Sequence, residues 1–280
     1  MQPKKSLGQN FLRDKIVLDE IIQAANLSAD DFVLEVGPGE GVLTERLAKY
    51  AKKVVAIEID LELDKKLQTK FKNVKHIEII NADILEINLP ELIETKMPAC
   101  TKTPQRGVST DTTDYHYKVI ANIPYYITSP IIRLFLETTH PPTEMILMVQ
   151  KEVAERICAK PGKLSILALS VQYYATPELL FTVPASAFFP VPEVDSAVIK
   201  ITLHKKPAHA KTPADDAKKF FSLVRAGFSA KRKTLVNNLS TSLKLEKSFI
   251  EEKLKQIGIT PNQRAQELSL ENWKKLVELL

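Results

Sequence analysis

The stretch VIANIPYYITS, residues 119–129, carries an asparagine, a proline and two tyrosines at a place where a short apolar run should be ending a buried strand. Asn and Pro are poor strand residues, so propensity supplies no reason for them there. Chemistry supplies one. The amide oxygen of Asn122 and the backbone carbonyl of Ile123 make two acceptors able to hold one exocyclic amine. Pro124 fixes φ and turns that carbonyl outward. Drawing both hydrogens of an aryl amine out of the ring plane localises the nitrogen lone pair and aims it at an electrophile, which is catalysis by positioning and electrostatics. Tyr125 offers a ring on which a target base can stack, the way enzymes that act on bases hold an extruded nucleotide.

Upstream, LEVGPGEGVLTERL sets Glu35 before three glycines at alternate positions, Gly37, Gly39 and Gly41, that lead into a helical pattern. Glycines let the backbone turn tightly and approach a ligand closely, and the following helix N-terminus favours an anionic group, so a nucleoside cofactor is implied. A dinucleotide fingerprint would need a small residue where Val42 stands. The E-x-G-x-G-x-G loop resembles instead the cofactor loop of S-adenosylmethionine-dependent methyltransferases; the competing reading is a plain tight turn. Glu58 ends the next strand pattern, AIEID, 21 positions after Gly37, where a carboxylate can accept two ribose hydroxyls. Asp60 reads as the N-cap of the helix DLELDKKLQ. Asp83 of NADIL can accept the adenine amino group, or be a turn residue.

The elements that must position these residues alternate. FVLEV, KVVAIEI, KHIEIINA, YKVIAN and EMILMV read as strands, separated by helical patterns such as GVLTERLAKY, DLELDKKLQTKF and SPIIRLFLETT, and KEVAERICA follows the last of them. That alternation predicts an α/β fold with a mostly parallel sheet covered by helices. ELLFTVP and SAVIKITL read as a later strand pair forming an antiparallel edge. A Thr- and Pro-rich run from 94 to 116 reads as a long surface loop, and 204–216, HKKPAHAKTPADD, as a linker before a purely helical region. The expected domains are 1–204 and 205–280, the second all-α.

Composition narrows the partners. With 44% hydrophobic residues over 280 positions the chain can bury a core, and no apolar run nears the roughly 18 residues of a membrane helix. No signal-peptide pattern opens the chain, so a cytoplasmic location is expected. Cys100 and Cys158 form neither a C-x-x-C pair nor a metal-ligand spacing, so neither disulfides nor a metal are expected. The net charge of +5 is uneven: from 204 onward there are 16 Lys and Arg against 8 Asp and Glu, while residues 1–203 carry 23 against 26. Such asymmetry is the footprint of a polyanion, and Lys231, Arg232 and Lys233 of FSAKRKTL are its densest point.

Taken in order, KKSLGQNFL, LEVGPGEGVLT, AIEID, NADIL, NIPYYI, MVQKEVAERI, AFFPVPEVDSAVI and FSAKRKTL resemble the motif series of the KsgA-type ribosomal RNA adenine dimethyltransferases, over nearly the whole chain except 94–116 and 204–216. The resemblance implies a Rossmann-like class I methyltransferase sheet with a small all-α C-terminal domain, S-adenosylmethionine as cofactor, and N6,N6-dimethylation of two adjacent adenines near the 3′ end of small-subunit (16S) rRNA; the sequence leaves the oligomeric state open, with a monomer as the default expectation. It implies that Asn10 and Leu12 close over the cofactor, that Gly37 and Gly39 line it, and that Glu58 meets its ribose and Asp83 its adenine. Asn122 to Tyr125 would handle the target base, Phe188 or Phe189 would touch the base's other face, and Lys231 to Lys233 would contact RNA.

Two departures from that family pattern are Ile123 where Leu is frequent, and the length of the 94–116 run. The nearest rival is an Erm-type enzyme modifying one adenine of large-subunit RNA; against it stand GPG in the glycine loop, FFPVPEVDSAV and FSAKRKTL. A non-catalytic assembly or transcription factor would keep the basic helical region, yet every site residue is intact. A nicotinamide oxidoreductase is disfavoured by Val42 and by the lack of a hydride-handling His or Tyr near the loop.

Overall fold

A computed structural model of the chain describes residues 3–4, 7–97, 99–100, 114–204 and 213–280, with the backbone alone for 99, 100, 114 and 213–215. Seven strands make the main sheet: β1 (Phe32–Val36), β2 (Lys53–Glu58), β3 (Ile77–Asn81), β4 (Lys118–Asn122), β5 (Glu144–Gln150), β6 (Ala175–Val183) and β7 (Ser196–Leu203), in the spatial order β3-β2-β1-β4-β5-β7-β6. β1 to β5 run parallel, and β7 pairs antiparallel with β5, Ser196 opposite Gln150 and Ile201 opposite Met145. Central strands covered on both faces must be apolar throughout, and β1, β2 and β4 are buried nearly end to end.

Helices follow the strands: α1 (Lys15–Ala25), α2 (Val42–Leu47), α3 (Leu61–Lys70), α4 (Leu89–Lys96), α5 (Thr128–Glu137), α6 (Lys151–Ile157) and α7 (Ile166–Gln172), then α8 (Pro213–Gly227), α9 (Leu235–Leu243), α10 (Lys247–Gln256) and α11 (Leu270–Leu279). Their starts are set locally. Asp14, Asp60, Ser165, Thr234 and Ser269 each accept a backbone amide of the first turn, satisfying donors that the helix itself leaves unpaired.

Two compact units result, Met1–Ala154 with Thr176–Leu203, and Glu155–Ala175 with His204–Leu280. In the first, Leu18, Ile21, Val33, Leu47, Val54, Ile120 and Ile146 fill one core cluster with Leu12 and Phe188. In the second, Trp273 is wholly buried among Phe220, Leu235, Leu239, Ile250 and Leu254, with Leu164, Ala168 and Leu169 of the 155–175 segment in the same cluster.

The run expected to be a loop over 94–116 begins later. Glu94 to Lys96 complete α4, whose N-cap Asn88 accepts from Glu91 and whose first turn holds a proline, and Ala99–Cys100 pairs antiparallel with Asp114–Tyr115. Pro98 and residues 101–113 of that run, and 205–212 of the linker, lie outside the described residues. No helix among the described residues is long and apolar enough to cross a membrane.

Candidate active site

Because β1 to β4 are parallel, their carboxyl ends share one edge, the edge where open α/β sheets bind ligands. There a cavity of about 270 Å³ is lined by Glu35, Gly37, Gly39, Glu58, Asp83 and Asn122 to Tyr125 from the strand tips, and by Gly8 to Leu12 from the N-terminal segment. Ten residues singled out from sequence therefore meet: Asn10, Leu12, Gly37, Gly39, Glu58, Asp83, Asn122, Ile123, Pro124 and Tyr125.

The glycine loop is tied to the second strand. Gly37 donates its amide to the Ile57 carbonyl at 2.9 Å, and Gly39 donates to Glu58 Oε2 at 3.0 Å. Glu58 Oε1 accepts the Asp60 amide at 2.9 Å. Glu58 is buried, and that burial raises its carboxyl above the usual range against the pull of these amides. A carboxylate offers about four acceptor sites, so Glu58 keeps acceptor capacity beyond these amides. Asp83 is half-buried and its Oδ1 accepts the Leu85 amide at 2.9 Å, so the turn role and an open second oxygen coexist.

Asp60 does more than cap α3. Its Oδ1 accepts Glu62 N and Lys4 Nζ, and its Oδ2 accepts Gln9 Nε2 at 2.9 Å, while Gln9 Oε1 accepts the Lys4 amide at 2.8 Å. Burial alone would raise this carboxyl; the bonds from Lys4 and Gln9 outweigh it and hold the group below its ordinary value. The N-terminal segment is thus anchored at the tip of β2. It is anchored again at Phe11–Leu12, which pairs antiparallel with Phe188–Phe189, Phe11 opposite Phe189 and Leu12 opposite Phe188. Sequence reasoning gave Asp60 only its cap and missed Lys4 and Gln9; a polar pair 51 and 56 positions from its partner leaves no local signal.

At the tip of β4 the Asn122 side-chain nitrogen donates to the Asn10 carbonyl at 3.1 Å, an amide orientation fixed by a partner that can only accept. Ile123 is buried and its amide donates to the Met148 carbonyl at 3.2 Å, which fixes the Asn122–Ile123 peptide just ahead of the one that carries the Ile123 carbonyl. Pro124 has φ −54°, and Tyr125–Ile127 close a short 3-10 turn. Tyr125 is half-buried, its hydroxyl 2.7 Å from Ser196 Oγ.

The two phenylalanines separate. Phe188 sits in the core at 3% exposure, whereas Phe189 is 49% exposed with the Arg13 guanidinium 4.9 Å above its ring, and neither lines the cavity. Burial keeps Phe188 from presenting a face to any ligand. In the second unit Lys231, Arg232 and Lys233 are all exposed in a turn ahead of α9 rather than on the helix. Buried Asn238 holds that turn, donating to the carbonyls of Gly227 and Ala230 at 2.6 and 3.0 Å.

The residues present fit a cationic nucleoside cofactor. A Cβ built on Gly37, which has φ +67°, would meet nothing within 4 Å, so the loop leaves open space where it faces the cavity. Four carboxyl groups, Glu35, Glu40, Glu58 and Asp83, line the same space, with the pKa of Glu35 pushed up by burial. They suit a sulfonium or ammonium and hydroxyl donors, and they disfavour the pyrophosphate of a dinucleotide. Among the described residues no cluster of His, Cys, Asp or Glu could hold a metal ion.

The family model for ribosomal RNA adenine dimethylase matches residues 1–280. The chain belongs to that family. It is 43% identical over 276 residues to a protein of Dehalococcoides mccartyi named ribosomal RNA small subunit methyltransferase A, covering 99% of this chain and 88% of that one. A relative of the same name in Fusobacterium nucleatum is 42% identical, covering 99% and 97%. Among solved structures, a dimethyladenosine transferase from Plasmodium falciparum is 26% identical with a TM-score of 0.73 and 95% of each chain covered. The 23S rRNA methyltransferase ErmE is 28% identical with a TM-score of 0.72, covering 97% of this chain and 99% of that one. The sheet is that of the class I methyltransferases, with its antiparallel strand at β7.

Proposed function

We propose that this member of the adenine dimethylase family transfers methyl groups from S-adenosylmethionine to the N6 amines of two adjacent adenines near the 3′ end of small-subunit (16S) rRNA. The observation that carries the reading is the meeting of Gly37, Glu58, Asp83 and Asn122 on one cavity, from four different strand tips, in a chain 42–43% identical to relatives named for the small subunit.

When bound, S-adenosylmethionine supplies an electrophilic methyl on a sulfonium. Gly37 and Gly39 would line it, Glu58 would accept its ribose hydroxyls and Asp83 its adenine amine, with Asn10 and Leu12 above. Asn122 Oδ1 and the Ile123 carbonyl would hold the two hydrogens of the target amine, leaving the lone pair directed at the methyl. Tyr125 would bear the base, and exposed Phe189 its other face. The nitrogen after attack is acidic and loses its proton without a strong base. Lys231 to Lys233 would meet phosphates, which position RNA without reading its sequence. A ribosomal substrate fits a cytoplasmic location.

The rival Erm-type activity has a structural neighbour of nearly equal likeness, so the fold does not discriminate. The relatives named for the small subunit support the small-subunit reading. The deciding experiment offers labelled S-adenosylmethionine with undermethylated small subunits and, separately, large-subunit RNA, followed by mass spectrometry of nucleosides. Dimethyladenine confined to the small subunit is expected; label in the large-subunit RNA would transfer the protein to the rival reading.

A further inference from the structure

Tyr125 presents a puzzle that its stacking role leaves open. A ring required only as a surface for a base has no use for a hydroxyl, since phenylalanine would offer the same face with no polar atom to desolvate. Yet the Tyr125 hydroxyl is directed to a particular partner, Ser196 Oγ, at 2.7 Å. Ser196 is wholly buried, and a buried hydroxyl without a partner is costly, so this bond matters to both groups.

Ser196 is also unusually well fixed. It opens β7 and lies opposite Gln150 in the antiparallel ladder with β5. Its neighbour Asp195 accepts the Lys151 amide through its carbonyl at 3.0 Å and the Ala185 amide through Oδ1 at 2.9 Å. The start of β7 is therefore held by one main-chain and one side-chain bond of Asp195, neither of which involves Tyr125. At the other end of the tyrosine, Pro124 sets the backbone and Ile127 donates to the Pro124 carbonyl at 3.1 Å.

We infer that Ser196 is a positioning residue for the methyl-transfer step: its buried hydroxyl pins the far end of the Tyr125 ring to the sheet, so that the base platform stands at a fixed height and tilt at the mouth of the cavity. The ring is gripped at both ends, by the β4 tip through Cα and by β7 through the phenol. Burial raises the phenol's pKa, so it remains a neutral partner for the serine hydroxyl. Neither group exchanges a proton with substrate. The inference rests on the reading of Tyr125 as the surface that bears the target base.

The test is single-turnover methyl transfer to undermethylated small subunits with Ser196→Ala, Tyr125→Phe, the double variant and Tyr125→Ala, beside calorimetric cofactor binding and thermal midpoints. Losing one hydrogen bond of ordinary strength should slow the step by about three- to ten-fold in each single variant. The double variant should be no slower than Tyr125→Phe alone, because both changes remove the same interaction. Cofactor affinity should stay at the wild-type value, a split that general destabilisation would not produce. The double variant leaves neither hydroxyl unpaired and should fold as well as the parent. A wild-type rate in Ser196→Ala, or multiplicative losses in the double variant, overturns the inference. A wild-type rate in Tyr125→Ala overturns the base-platform reading itself, and the inference with it.

Discussion

The Asn122 side chain donates to the backbone carbonyl of Asn10 at 3.1 Å, joining positions 112 apart in the chain. One bond thus links the tip of the central strand β4 to the segment that crosses the cavity. It also divides the labour within one amide: the nitrogen is committed to Asn10, and the oxygen keeps its acceptor capacity for a substrate amine.

Asn122→Ala should therefore abolish methylation, by roughly 10²- to 10³-fold or more, as removal of a positioned transition-state group does. RNA binding should stay near wild type, since no phosphate contact is lost. Filter binding alongside single-turnover assays separates the two, and equal loss of both would contradict the assignment.

Glu35 is wholly buried in β1, and desolvation pushes its carboxyl up from 4.5 to about 8. Between those values the unfolded chain has released a proton that the folded chain retains. Stability should then fall as pH rises through that window, by at most about 1.4 kcal/mol per pH unit from this group. Glu35→Gln cannot ionise and should flatten that slope between pH 5 and 8 in denaturant titrations. An unchanged slope would show that Glu35 titrates normally.

Two glycines of one loop should fail differently. Gly41 has φ +72°, and an added Cβ would lie 2.6 Å from Leu67 Cδ2 and 2.9 Å from the Phe71 ring. Gly41→Ala should cost about 2–5 kcal/mol of stability, because overpacking adds to the strain of its left-handed backbone. Gly37→Ala meets open space, so its left-handed backbone should cost only about 1–2 kcal/mol. Its methyl would stand where the cofactor is proposed to lie. Thermal melts should single out Gly41→Ala, and calorimetry with S-adenosylmethionine should single out Gly37→Ala.

Lys231→Glu combined with Lys233→Glu should weaken RNA binding while leaving the melting temperature unmoved, because both side chains are exposed. The slope of log affinity against log salt should shrink by about 0.7–0.9 for each phosphate contact removed. Binding unchanged across a salt series would exclude this turn from the RNA surface.

Much of this was legible in the chain. Period-two and continuous apolar runs located the strands, FVLEV and SAVIKITL to the residue, because burial within an element is written in its own spacing. Parallel strands must present their carboxyl ends together, so eight candidate residues at the strand tips, Gly37, Gly39, Glu58, Asp83 and Asn122 to Tyr125, could be expected on one cavity, whereas Asn10 and Leu12 followed only from the family resemblance. Other features depended on which surfaces meet. Period alone does not say that Phe188 turns into the core while Phe189 turns out, that Leu164, Ala168 and Leu169 join the cluster around Trp273, or that β7 inserts between β5 and β6. Polar pairs across long separations are the extreme case: Lys4 and Gln9 with Asp60, Asn10 with Asn122, and Tyr125 with Ser196, 71 positions on. A hydrogen bond of that kind requires two polar groups to be delivered within about 3 Å of each other by the packing of everything between them, and no local pattern of residues encodes that distance.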